Sequence, residues 1–131
     1  QKAAPDNDEE VKGAGLGYID IFNADGTLAS RFASNGNLNA PWGMAVAPAG
    51  FGAFSGNILI GNFGDGRIHA YNAKTGALMG TLHDGSGSPI VLPGLWGLLF
   101  GNGTSAPTDA LMFTSGPGGE AHGLWGTITA S

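Results

Sequence analysis

Four acidic or histidine side chains and two amides stand in turn-like stretches of this 131-residue chain: Asp65, Asp84, Glu120 and His122, with Asn35 and Asn62. Carboxylate and amide oxygens gathered on one rim suit Ca²⁺, a hard cation that takes about six to eight oxygen ligands. The Asp-x-Asp-x-Asp-Gly spacing of a dedicated Ca²⁺ loop does not occur. Asp65 and Asn62 equally fit the simpler role of making a turn by bonding nearby backbone. Ca²⁺ is therefore the one ion the residues point to, and they do not fix it.

Three histidines, His69, His83 and His122, invite a zinc reading. Catalytic zinc needs about three protein ligands on one point. His69 and His83 fall on outer strands and only His122 in a rim loop, so convergence is not expected. Ser86, Ser88 and Ser115 have no neighbouring base, and no Gly-x-Ser-x-Gly elbow occurs. Gly13-Ala14-Gly15-Leu16-Gly17 looks like a phosphate loop, but no helix follows to aim its amides. With no cysteines, thiolate chemistry and disulfides are excluded. Two tryptophans recur beside glycine, in Trp42-Gly43 and Trp96-Gly97. Their faces suit sugar rings, but repetition favours a structural role, filling the wedge between neighbouring sheets; Trp125 packs between sheets.

These residues need a scaffold, and composition limits it. Twenty-five glycines and seven prolines argue against a helical bundle, because each helix-interior glycine costs stability. A 42% hydrophobic share argues against disorder. No apolar run approaches the ~20 residues of a membrane-spanning helix. A net charge of −5 with five basic residues makes nucleic acid an improbable partner. Lys2, Asp6, Asp8, Glu9, Glu10 and Lys12 crowd residues 1–16, a stretch without apolar periodicity, expected to be an acidic surface loop or tail. It is not a signal peptide, lacking an apolar stretch, and a start at Gln1 suggests processing or truncation.

From residue 17 the chain alternates short apolar runs with turns. In Asn57-Ile58-Leu59-Ile60 the three residues after the asparagine are apolar without a break, as a strand covered on both faces should be. Asp25-Gly26 and Thr75-Gly76 supply turn residues tolerant of positive φ. Internal repetition then organises the strands. Gly17-Tyr18-Ile19-Asp20-Ile21-Phe22-Asn23-Ala24 superposes on Gly66-Arg67-Ile68-His69-Ala70-Tyr71-Asn72-Ala73. Pro41-Trp42-Gly43-Met44-Ala45-Val46 matches Leu95-Trp96-Gly97-Leu98-Leu99-Phe100, and a third copy of the first pattern opens at Gly123. The starts at Gly17, Gly66 and Gly123 lie 49 and 57 residues apart.

Four strands at that period make a β-propeller blade. With strands lettered a to d from the axis outward, residues 17–33 supply c and d, 42–83 a whole blade, and 95–129 a, b and c. The fold class expected is all-β: a propeller segment of two to three four-stranded blades over residues 17–131, incomplete on its own. Propellers close with roughly four to eight blades, so the remaining blades should come from the same precursor or another chain, with a homo-oligomer as alternative. In this frame the loops 34–41, 62–66, 84–94 and 115–122 gather on one face, which is why the six polar residues above are candidate ligands.

The block from Gly17 to Phe22 and on through Ala40-Pro41-Trp42-Gly43 to Gly64-Asp65-Gly66-Arg67-Ile68 resembles a family of secreted bacterial proteins related to NHL-repeat and SMP-30-like six-bladed propellers. The likeness runs from residue 17 to about 129 and implies the C-terminal part of a chain about three times longer. Some members carry a C-terminal sorting signal, which does not follow here. The resemblance implies fold and export, hence an extracellular, cell-surface or periplasmic location, and no established activity. The function expected is a non-catalytic binding or assembly module. The alternatives are a metal-dependent NHL/SMP-30-like lyase or lactonase, and a structural subunit of a surface layer, fibre or larger complex.

Overall fold

Apolar stretches of four to seven residues separated by glycine-bearing turns are too short for helices and suit strands. The computed structural model, which describes residues 5 and 8–130, has nine strands and no α-helix among them. Lys2, Asp6 and the Gln1 terminus, all invoked above, lie outside the described residues.

The strands form three antiparallel sheets of two, four and three. The first pairs β1 (Tyr18–Phe22) with β2 (Leu28–Ser34). The second runs β3 (Pro41–Val46), β4 (Ile58–Asn62), β5 (Ile68–Tyr71) and β6 (Leu78–Thr81), each beside its sequence neighbour. The third runs β7 (Leu95–Phe100), β8 (Leu111–Ser115) and β9 (Leu124–Ile128). This all-β grouping is the one the repeat spacing predicts. A short 3-10 turn, Gly52–Phe54, interrupts the β3–β4 connection. Among the described residues no helix is long and apolar enough to cross a membrane.

Strand β4 is covered on both faces, which explains its unbroken apolar run. Leu59 joins Ile68, Ala70, Leu95, Leu98, Leu111 and Phe113 in the larger core, between the second and third sheets. Ile60, the next residue, points the other way and packs with Leu38 and Tyr71 beneath Ile19, Phe32 and Ala33 of the first sheet. Alternation along a strand puts successive side chains on opposite faces, so β4 serves both cores. Each such buried aliphatic side chain contributes about 1.5–3 kcal/mol.

The second and third sheets meet at their first strands, β3 against β7. Gly43 and Gly61 make this approach possible. A Cβ on Gly61 would stand 2.8 Å from Leu95 Cδ2 and 3.1 Å from Leu98 Cδ1, so the absence of side chains there receives the two leucines. The expectation for the tryptophans is corrected at the same place. Trp42 and Trp96 are 55% and 41% exposed and do not fill a wedge between these sheets. Each falls in a register shift, between Pro41 and Gly43 and between Leu95 and Leu98. A bulge interrupts the in–out alternation, so Gly43, Leu95 and Leu98 take the inter-sheet contact. Trp125 is likewise exposed, on the outward face of β9.

Candidate functional site

Three connections, β4–β5, β6–β7 and β8–β9, come together at one end of the sheets. They enclose a cleft of about 460 Å³ with Glu9 and Lys12 from the N-terminal segment. Hydrogen bonds stitch these loops to one another: Leu92 N–H donates to Gly66 O and Gly116 N–H to Gly94 O, both at 2.8 Å. Gly66 and Gly94 both have φ near +70°, and a Cβ on either would overlap the neighbouring loop's backbone at Leu92 or Gly116. The cleft floor is therefore largely backbone, and its functional groups are carbonyls, amides and a few charged side chains.

Of the six predicted polar residues, two reach this cleft. Asp65 lines it from the β4–β5 loop while its Oδ1 also accepts from Arg67 N–H at 3.1 Å. Glu120 lines it from the β8–β9 loop, held at φ 67° with its N–H donating to Gly116 O at 3.1 Å. Glu9 and Lys12 complete the charged lining, and Lys12 Nζ sits 4.2 Å over the Phe63 ring. Neither was legible as a site residue, because both belong to a charged stretch whose only sequence signal is solvation.

The other four are placed elsewhere. Asn62 is fully buried, its Oδ1 accepting from Asn39 N–H at 3.1 Å and its Nδ2 donating to Asn37 O at 2.8 Å. That pairing pins the β2–β3 loop to the end of β4 and leaves the amide no role as a ligand. Asn35 adopts φ 60° and lines a separate cleft, of about 320 Å³, between β2 and the start of β6. Asp84 closes its own turn, accepting from the Ser86 hydroxyl at 2.6 Å and from the Ser86 and Ser88 amides at 2.9 and 3.0 Å. The Ser86 hydroxyl, followed by those amides, holds its carboxyl below the usual carboxylate range. His122 lies in the β8–β9 connection outside the cleft lining. Gly97 is exposed on β7, whereas Gly43 is buried against it.

The remaining histidines do not converge with it. His69 is buried mid-β5, its Nδ1 2.9 Å from Thr81 Oγ1 and its Nε2 without a protein partner. Burial pushes its pKa down. His83 is exposed, its Nδ1 2.8 Å from Thr81 O. Among the described residues no three His, Asp or Glu side chains stand where they could hold a metal ion. The Ca²⁺ expectation rested on six donors sharing one rim, and only Asp65 and Glu120 do so. The cleft's chemistry is that of hydrogen-bond acceptors with an acidic excess, and neither serine nor histidine lines it.

Three uncharacterised proteins of Acanthamoeba polyphaga mimivirus resemble the chain. One is 46% identical over 90 residues, covering 69% of this chain and 22% of the relative. A second is 46% identical over 84 residues, 64% of this chain and 22% of the relative. The third is 41% identical over 92 residues, 70% and 17% respectively. The shared region thus spans about a fifth of the length of these relatives. No protein-family model matches the chain, and no solved structure matches it.

These matches correct the assignment to a bacterial NHL/SMP-30-like family: the relatives are viral and no NHL-type model matches. The bacterial origin and the secretion drawn from that likeness go with it. The pattern that suggested it, short apolar strands closed by glycine turns, is what any antiparallel meander requires.

Proposed function

We propose that this chain is a non-catalytic assembly module, a segment of a β-propeller whose blade-like sheets dock on further sheets. The observation that carries this reading is the placement of the large exposed apolar side chains. Met44 and Val46 face outward from β3 on one side of the sheet stack, and Leu99 and Trp125 face outward from β7 and β9 on the other. Exposed apolar residues scattered singly are ordinary, but sets on outward sheet faces mark interaction surfaces. The repeated strand sequences support a stack that continues in both directions, since closure takes roughly four to eight blades. The viral relatives, several times longer than the segment they share with this chain, have room for such a continuation.

Docking of this kind draws its affinity from buried apolar surface, about 25 cal/mol per Å² before the costs of association. The purified chain is therefore expected to self-associate weakly or to bind a hydrophobic dye such as ANS, and to do neither once its outward faces are covered. Light scattering and dye binding on the same sample test this. A dye-silent particle of 13.1 kDa, monodisperse at every concentration, would overturn the reading.

A further inference from the structure

The first sheet has an unpaired edge at β1, and the middle sheet has an uncovered face at β3. Among the described residues strand β1 is paired only with β2, on one edge. The corresponding strand of the middle sheet, β5, is paired on both edges, with β4 opposite it in the register Ile58↔Tyr71, Leu59↔Ala70, Ile60↔His69 and Gly61↔Ile68. The repeat equates Phe22 with Tyr71 and Ile21 with Ala70. Phe22 is 60% exposed where Tyr71 is 5% exposed, and Ile21 is exposed where Ala70 is buried. Among the described residues the edge of β1 thus lacks the counterpart of β4.

The uncovered face lies on β3. Pro41, Met44 and Val46 correspond through the repeat to Leu95, Leu98 and Phe100 of β7. Leu95 and Leu98 are buried over Gly43 and Gly61, which belong to the β3–β4 hairpin of the preceding sheet. Met44 and Val46 are exposed. They lack the same kind of hairpin, one sheet earlier, whose second strand is the one absent from the β1 edge.

We infer that β1 and the outward face of β3 together form an acceptor for an antiparallel β-hairpin of the β3–β4 kind. Its second strand pairs with β1, and small residues on its face lie opposite Met44 as Gly43 and Gly61 lie opposite Leu98 and Leu95. Backbone pairing at a sheet edge supplies affinity, and the side-chain face supplies selectivity. A second copy of this chain does not fit. Its β4 already has β5 on the outer edge and its β8 already has β9, so either hairpin would bring a strand into the place that β1 occupies. The occupant is a hairpin with a free outer edge, from a different polypeptide segment. This inference rests on the assembly reading above and adds which surface is used and by what.

The test titrates a fluorescently labelled synthetic peptide of residues 41–62, a hairpin sequence with its outer edge free, with the full chain. Saturable binding is expected. Met44→Glu with Val46→Lys, both at exposed positions and so compatible with folding, is expected to weaken it roughly tenfold or more. Leu99→Glu, on the opposite outward face, should leave it unchanged. Amide exchange at Ile19 to Phe22 should slow when the peptide binds. Absence of binding, equal loss in Leu99→Glu, or no slowing in β1 would each overturn the inference. So would a homodimer abolished by the Met44 and Val46 substitutions, which would seat a second copy on this face. Association through Leu99 and Trp125 with no response to the peptide would sink this inference and leave the assembly reading standing.

Discussion

Gly43 of β3 lies directly beneath the backbone carbonyl of Trp96 on β7, so close that a Cβ there would overlap the oxygen. The inner strands of two consecutive sheets therefore meet backbone to backbone. Leu98 closes the same contact, its Cγ 3.0 Å from where that Cβ would stand. The glycine is a packing requirement here, since its φ is not in the left-handed region.

Gly43→Ala should force the second and third sheets apart. Overpacking of a filled interior costs about 1–3 kcal/mol. The atoms a Cβ would meet include backbone, the Trp96 carbonyl oxygen first and the Leu98 nitrogen, so relief requires the strand to shift. Gly97 is the same residue one repeat later, but exposed, and a Cβ there would meet only Thr114 Oγ1 at 3.0 Å. Gly97→Ala is expected to cost less than half as much. Urea denaturation of the two variants checks the difference, and equal losses would contradict this account of the sheet contact.

A second expectation concerns Asn62. Its side chain is the tie between β4 and the β2–β3 loop, through Asn39 N–H and Asn37 O. Asn62→Ala strands a donor and an acceptor in a buried place, which costs about 1–3 kcal/mol. Asn62→Asp keeps the acceptor and should lose less of the loop than alanine does, while paying for a buried charge. Exchange rates at Gly13, Asn39 and Gly64 are the specific readout, because Gly13 N–H donates to Asn39 Oδ1 and Gly64 N–H to Asn39 O. Unchanged rates in Asn62→Ala would remove the structural role.

The division into sheets was legible because the repeats write it out. Tyr18 to Phe22 against Arg67 to Tyr71, and Trp42-Gly43 against Trp96-Gly97, each mark a strand and its neighbours. The site was legible only in part. Asp65 and Glu120 could be placed in rim loops from sequence. Asn62 could not be separated from them, because its burial depends on a loop some twenty residues earlier folding over it. Glu9 and Lys12 carry no periodicity at all. The tryptophans misled for a local reason: a single extra residue in each strand turns them out of the alternation on which the packing argument relied.

Glu120 offers a test of backbone strain. It follows Gly118 and Gly119 in a tight turn and holds φ 67°, a region that costs a non-glycine residue about 1–2 kcal/mol. Glycine recovers that strain and gives back part of it as unfolded-state entropy. Glu120→Gly should therefore raise stability by up to about 1 kcal/mol. Thermal denaturation checks the sign. A loss would mean that the carboxylate makes an interaction at the cleft worth more than the strain.

His69 is expected to make stability fall towards acid pH. Burial in β5 disfavours its charged form, and Arg67 adds to that, while Asp65 works against it. Its pKa in the folded chain is thus below the value near 6.5 that it has unfolded. Above that value neither state binds the proton and the histidine contributes no pH dependence. As pH falls below it, the unfolded chain takes up a proton that the folded chain resists. Stability then declines by at most about 1.4 kcal/mol per pH unit, until the folded pKa is passed. His69→Gln has no such proton to take up and should show a flatter profile between pH 7 and 5, whatever its absolute stability. Urea midpoints across that range, compared between wild type and variant, are the measurement. Parallel profiles would mean that the imidazole is not held neutral, and that its unpartnered Nε2 reaches solvent or an acceptor that welcomes the proton.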